Sequence, residues 1–220
     1  MAPPDAKQRR FHIPVGPVIA VFAVLILSAL LVPTMEPRSG LLRGQLTQTV
    51  HNGRQIYIAT QTMAEDGLAD QDPRLGWPGD LAVSKSEPVN DLASFVERLV
   101  KFDYLNERDL AKLFTAPGVR AFSGPGRLEG NNSAFKIYLV TASDSPNVLF
   151  LATKNFTFGH GLDANTVPYR DKGFAIVRKG GDAQSFAGYA AQYREAIGVM
   201  PGHTKLEDPG AETSTNVWKD

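Results

Sequence analysis

The sequence contains no cysteine. Disulfides, thiolate metal ligands and a cysteine nucleophile are therefore excluded, and any folded domain must be held by its core alone. Net charge is lacking too, since 23 lysines and arginines balance 23 aspartates and glutamates. There is no bulk electrostatic pull toward nucleic acid, which is not expected as a partner. Histidine is scarce, and His12, His51, His160 and His203 show no metal-ligand spacing. No Gly-x-Ser-x-Gly elbow occurs, so Ser123 in AFSGPG has only a loop context and no assigned base. GPGRLEG has glycines but neither the lysine nor the strand–loop–helix setting of a phosphate cradle, and it reads as turn chemistry. Internal repeats are absent as well.

What the chain does have is a long apolar run near its start. Ile13 to Met35 gives 23 residues without a formal charge, enough to cross a hydrocarbon core of about 30 Å. Lys7, Arg9 and Arg10 precede it, and the positive-inside rule then puts residues 1–12 in the cytoplasm. A cleaved signal peptide is the rival reading, but ALLVPTMEP offers no small-x-small site. The expectation is a retained single-pass anchor over 13–35 in a bacterial inner membrane, with the lipid bilayer as partner. Pro33 is placed to kink a continuing helix near the far surface rather than end it.

Beyond Gly40, Leu42, Leu46, Val50, Gly53, Tyr57 and Met63 recur at helical steps. Arg43, Gln45, Gln48, His51, Asn52, Arg54 and Gln55 lie between them as a polar outer face. This helix is expected to stop near Asp66-Gly67. Asn90 or Asp91 caps a helix in LASFVERLVKFD whose apolar face is Phe95, Leu99 and Val100, and Asn106 caps a shorter one in NERDLAKLF. AFKIYLVTA and NVLFLATKNF flank SDSP as one hairpin, and GFAIVRKGGDAQSF reads as a second about Lys179 to Asp182. A helix-like AGYAAQYREAI follows, and residues 201–220 read as a flexible polar tail. The turns at Asp144–Pro146 and Gly180–Asp182 supply single acids, far short of the six to eight oxygens that calcium takes. Asn131-Asn132-Ser133 and Asn155-Phe156-Thr157 match the glycosylation triplet, which is common by chance. Trp77 reads as a core or loop anchor and Trp218 as a tail residue. Nothing links either to a ligand.

An apolar helix, its amphipathic continuation and a small antiparallel sheet, in that order, resemble the type IV pilins and the pseudopilins of type II secretion. AVLILSALLVPTM resembles their anchor with its helix-bending proline, here Pro33, and NGRQIYIATQTMAEDG resembles the segment that follows it. WPGDLA, FVERLVKFDYLNERDLAKLFTAPG, FKIYLVTASDSPNVLFLATKNF and GFAIVRKGGDAQSF are similar, in order, to blocks of pseudopilin-like proteins of Verrucomicrobia-type bacteria. The match runs over most of Ala20 to Phe186. The processing signature of that family, a glycine followed by an aromatic and then an acidic residue, is degenerate. Aligned on Pro33, Phe11 stands where the glycine belongs and Gly16 where the glutamate belongs.

The resemblance implies an α+β protein in which a long N-terminal transmembrane and amphipathic helix packs on a small antiparallel sheet. It divides the chain into a cytoplasmic segment 1–12, a membrane helix 13–35, a periplasmic pilin-like domain 36–200 and a tail 201–220. The implied function is a non-enzymatic structural subunit of a type II secretion or type IV pilus-like assembly, with other pilin-like subunits or secretion machinery as partners. The alternatives are a membrane-anchored periplasmic binding module that does not polymerise, and an enzyme of unknown type. No catalytic, cofactor-binding or metal residue is assigned, and no cofactor or small-molecule substrate is inferred.

Overall fold

The computed structural model describes residues 37–120, 132–188, 197–203, 212–213 and 216–218. The chain divides into two compact units, Met1–Gly40 and Leu41–Asp220. The first lies outside the described residues except for its last four. Four helices are described, α1 (Pro37–Asp70), α2 (Pro78–Ala82), α3 (Leu92–Lys101) and α4 (Glu107–Leu113). The strands are β1 (Phe135–Tyr138), β2 (Leu149–Thr153), β3 (Phe156–Thr157), β4 (Gly161–Leu162), β5 (Gly173–Arg178), β6 (Ala183–Ala187) and β7 (Val217–Trp218). Helices and an antiparallel sheet make this an α+β protein.

The membrane placement does not hold. Among the described residues no helix is long and apolar enough to cross a membrane. α1 has the length, at 34 residues, but Arg43, Arg54, Glu65, Asp66 and Asp70 ring its outer face. The expected inner-membrane, single-pass localisation is therefore corrected. The run 13–35 and the basic segment 1–12 lie outside the described residues, as does Pro33.

α1 forms because an apolar stripe recurs at three- and four-residue steps. Leu46, Thr49, Gly53, Ile56, Tyr57, Thr60, Met63 and Gly67 are buried, while Arg43, His51, Arg54, Ile58 and Thr62 are exposed. Each fully buried large side chain, such as Ile56 or Met63, contributes about 1.5–3 kcal/mol. Asn52 corrects the sequence reading. It is buried, accepts from Gln48 and donates to the Lys112 carbonyl at the end of α4 at 2.9 Å, so it ties α1 to α4. The helix also runs past the expected stop. Gly67 is internal and buried, because a Cβ there would sit 2.4 Å from the Leu75 carbonyl oxygen. The stop is Gln71 at φ 55, with the Asp72 amide donating to the Gly67 carbonyl at 3.0 Å, the 6→1 bond of a Schellman close.

The five-stranded sheet has the order β6-β5-β2-β1-β7, antiparallel throughout. Both expected hairpins are present. β1 pairs with β2 in the register Phe135 with Thr153, and β5 pairs with β6 in the register Phe174 with Phe186. α1 lies along β5. Leu46 meets Gly173, Gly53 faces Val177, and Tyr57 meets Gly181 in the following turn, so helix and strand run in the same direction. A Cβ at Gly53 would fall 3.0 Å from Val177, 3.2 Å from Leu151 and 3.7 Å from Phe135, one residue from each of three adjacent strands. Strict alternation sends Phe150 and Leu151 to opposite faces. A bulge between Leu149 and Leu151 relaxes it, and both side chains meet α1.

The smaller helices follow their caps. Asp91 accepts from the Ser94 amide at 2.7 Å in a reciprocal capping box, and Asn106 accepts from the Arg108 amide at 3.0 Å. The α3 face is wider than expected: Leu92, Ala93 and Val96 join Phe95 and Leu99 in the core, and Val100 is only partly buried. AGYAAQYREAI falls almost wholly outside the described residues. The tail reading is corrected at Val217 and Trp218. They pair as β7 with Tyr138 and Ile137, both are buried, and the Trp218 ring lies 5.9 Å from Phe95.

Candidate functional site

The residues singled out from the sequence do not converge. His51 is exposed on the outer face of α1, His160 is exposed at the tip of the β3–β4 ribbon, and His203 sits in a turn, its amide donating to the Met200 carbonyl. His12 and Ser123 lie outside the described residues, as do Gly124 to Gly130. Among the described residues no group of three or more histidines, aspartates and glutamates is placed to hold a metal.

The two acidic turns are structural. Asp144 accepts from the Thr141 amide at 2.7 Å and from the Gly202 amide at 3.0 Å, pinning the β1–β2 turn to the 200–203 segment. Asp182 pairs with Arg178 and accepts from Gln184 across the β5–β6 turn. Asn155 is fully buried, and its side-chain amide donates to the carbonyls of Arg170 and Gly173 at 2.6 and 2.8 Å. It is therefore no glycan acceptor in the fold. Asn131 lies outside the described residues, and Ser133 of the other triplet is buried.

Two constellations that the sequence reading passed over are built with care. The first is an open groove of about 540 Å³ where α1 ends. Its floor is aromatic. Tyr57, Trp77 and Phe150 form a triangle with ring centroids 5.8–6.1 Å apart, spacings at which aromatic edges and faces attract. Tyr57 and Trp77 line the groove, and Ala64, Leu68 and Leu75 extend its apolar surface. Asp80, in the first turn of α2, accepts from the Ala142 amide at 2.9 Å. Burial raises its carboxyl above the ordinary range, against the opposing pull of the Ala142 amide and Lys179. Lys179 closes one side. Its Nζ donates to the carbonyls of Ala142 and Asp144 and lies 5.8 Å from the Trp77 ring centroid. Burial lowers its pKa, opposed by Asp144 and Asp80.

Two further carboxylates line the groove. Glu65 lines the groove and accepts from Gln61 at 2.8 Å. Asp72 also lines it and is held by a forked pair of bonds from Arg74 at 2.7–3.1 Å, which depress its carboxyl to about 2. On the far side of the helix Asp66 accepts from the Tyr104 hydroxyl at 2.7 Å. Burial and that bond push the phenol up to about 12.

The second constellation is buried. Lys136 of β1 and Glu212 are each 1% exposed and pair at 2.6 Å. Glu212 also accepts from the Tyr138 hydroxyl and the Phe158 amide, both at 3.1 Å. Burial first, then the Glu212 charge, drives the Tyr138 phenol well above its ordinary value. A lysine in the strand FKIY was the available signal, since position 136 alternates with the apolar inward positions Phe135 and Ile137. Its acidic partner, 76 residues downstream, carried none.

One constellation is an open groove with aromatic and acidic lining, and the other is a buried ion-pair clamp. Comparison with protein-family models, with curated proteins and with solved structures finds no match.

Proposed function

We propose that this chain is a non-enzymatic, pilin-like structural subunit, of the kind that builds type II secretion or type IV pilus-like assemblies. The observation that carries the reading is the seam between α1 and the sheet. A 34-residue helix lies along β5 with Gly53 packed against three strands, and it is followed by two antiparallel hairpins in chain order. Its outer face stays clear of the core, which leaves a rod available to neighbours. At its start Leu41 is 65% exposed, and Gly40 and Gly44 face open space. Function in this reading is mechanical, with helices of adjacent copies packing side by side while loops contact other proteins.

The absence of cysteine makes the test clean, because one introduced thiol is the only one in the chain. Leu41→Cys, expressed in the native host and oxidised, is expected to give disulfide-linked pairs of this chain, and Lys85→Cys on an exposed loop is expected to give none. Equal yields from the two positions, or none from either, would remove the assembly reading. The groove at the end of α1 favours a second reading, an interaction module that does not polymerise.

A further inference from the structure

We propose that β6 is an interaction edge, and that it pairs with β6 of a second copy of this chain in antiparallel register about Ser185. β6 is an outer strand of the five-stranded sheet. It matches β5 over five successive residues with no shift, from Ala183 with Val177 to Ala187 with Gly173. The Arg178 amide donates to the Asp182 carbonyl at 2.9 Å, and the Gly188 amide donates to the Lys172 carbonyl at 3.0 Å. Alternation from those two ends turns the main-chain groups of Gln184 and Phe186 toward β5 and those of Ala183, Ser185 and Ala187 outward. The outward groups have no hydrogen-bond partner among the described residues, and Ser185 and Ala187 are exposed.

Edge strands are ordinarily guarded by a charge, a proline, a bulge or extreme shortness. The opposite edge, β7, has only two residues. β6 has none of these devices: it reads AQSFA, with neither charge nor proline. The same five residues are their own complement. With Ser185 on a two-fold axis, Ala183 meets Ala187, Gln184 meets Phe186, and the flanking Asp182 meets Gly188 rather than a second carboxylate. No charge faces a like charge, and each outward pair exchanges both of its bonds. Gln184 and Phe186 are half-buried, and each would cover the other across the axis. α1 does not obstruct the approach. Gly53 packs toward β5, β2 and β1, away from β6. Even directly above β5, the two helices would stand three strand spacings apart, about 14 Å, beyond the roughly 8–10 Å of packed helices.

This contact uses a different surface from the outer face of α1. Failure of the Leu41 cross-link leaves it in place, and its own failure leaves the assembly reading in place. The test again uses the missing cysteines. In a hydrogen-bonded antiparallel pair the Cα atoms stand about 5.5 Å apart, inside the span of a disulfide. Ser185→Cys in the full chain, oxidised in solution, should therefore give linked pairs. Gln184→Cys should give roughly tenfold fewer, because its two copies lie on a diagonal of about 8 Å, beyond that span. Hydrogen exchange should slow at the Ala183, Ser185 and Ala187 amides as protein concentration rises, with Gln184 and Phe186 slow throughout. Ser185→Lys places like charges across the axis and should speed the first three on the order of tenfold, with circular dichroism unchanged because the side chain is exposed. Ser185→Thr favours a strand, adds no charge and should keep the slow exchange. Equal cross-linking at Ser185 and Gln184, exchange independent of concentration, or slow exchange that survives Ser185→Lys would overturn the proposal. Exchange that slows only when another protein is added would do the same, and would assign the edge to a different partner.

Discussion

Asp72 shows how one side chain both ends an element and tunes a surface. Its amide closes the helix against Gly67, its Oδ1 accepts from the Arg74 amide at 2.9 Å, and both oxygens accept from the Arg74 guanidinium. Those bonds, the side-chain ones first, hold its carboxyl at about 2, below an unfolded value of about 3.9. A depressed carboxyl contributes stability that is fully present above the unfolded value and is lost as pH falls toward about 2. The pair is solvent-exposed, so its effect on folding is small, but the titration itself is measurable. Carbon-detected NMR should place the Asp72 midpoint near about 2, and Arg74→Ala should return it toward about 3.9. A midpoint that stays low without the guanidinium would assign the shift to another cause.

At the scale of the element, the seam between α1 and the sheet turns on an absent side chain. Gly53 is buried against Val177, Leu151 and Phe135, from β5, β2 and β1 respectively. A leucine there would have to displace all three, and overpacking of this kind costs about 1–3 kcal/mol or more. Gly53→Leu is expected to lower the unfolding free energy by about that amount, read as a lower urea midpoint, while Gly44→Leu, which faces open space, should leave it unchanged or raise it. Equal losses at both positions would mean that contact with the three strands at Gly53 does not set the response, since helix propensity alone favours leucine over glycine at either site. The periodicity that reveals α1 in the sequence is the same physics. Leu46, Gly53, Tyr57 and Met63 are legible because apolar and small residues repeat with the helical turn. Thr49, Asn52 and Thr60 are buried too, yet polar side chains read as outer face until their partners are known, here Tyr169, the Lys112 carbonyl and the Ile56 carbonyl. The hairpins and caps were legible for a local reason, since turn residues and cap spacings act within a few positions. The groove was not, because it draws on α1, α2 and two separate turns.

For the molecule as a whole, the question is what holds a sheet whose last strand has only two residues. β7 pairs with β1 through Ile137 and Tyr138 alone, and two-residue pairing is too short to hold an edge by itself. The chain supplements it with Glu212, four positions upstream of Asn216, whose carbonyl also accepts from the Leu139 amide at 2.9 Å. The carboxylate is anchored at 1% exposure by Lys136, Tyr138 and the Phe158 amide, so the C-terminal segment is clamped at two places around β1. Removing one partner of a buried ion pair costs about 3–5 kcal/mol, much of it the penalty of a stranded charge. Glu212→Ala is therefore expected to destabilise the chain by about that amount in chemical denaturation. Removing residues 212–220 should cost at least as much, and it also bares the outer edge of β1. An uncovered edge is a template for pairing with another chain, so the truncated protein should elute as a larger species on gel filtration than the full chain does. Lys136→Met in the truncated background separates the two effects. It should recover part of the lost stability, because the stranded charge is gone, and leave the self-association, because the bare edge remains. Full recovery of the full chain's elution by Lys136→Met would trace the association to the charge, and no recovery of stability would show that the ion pair is not what binds the C-terminus to the fold.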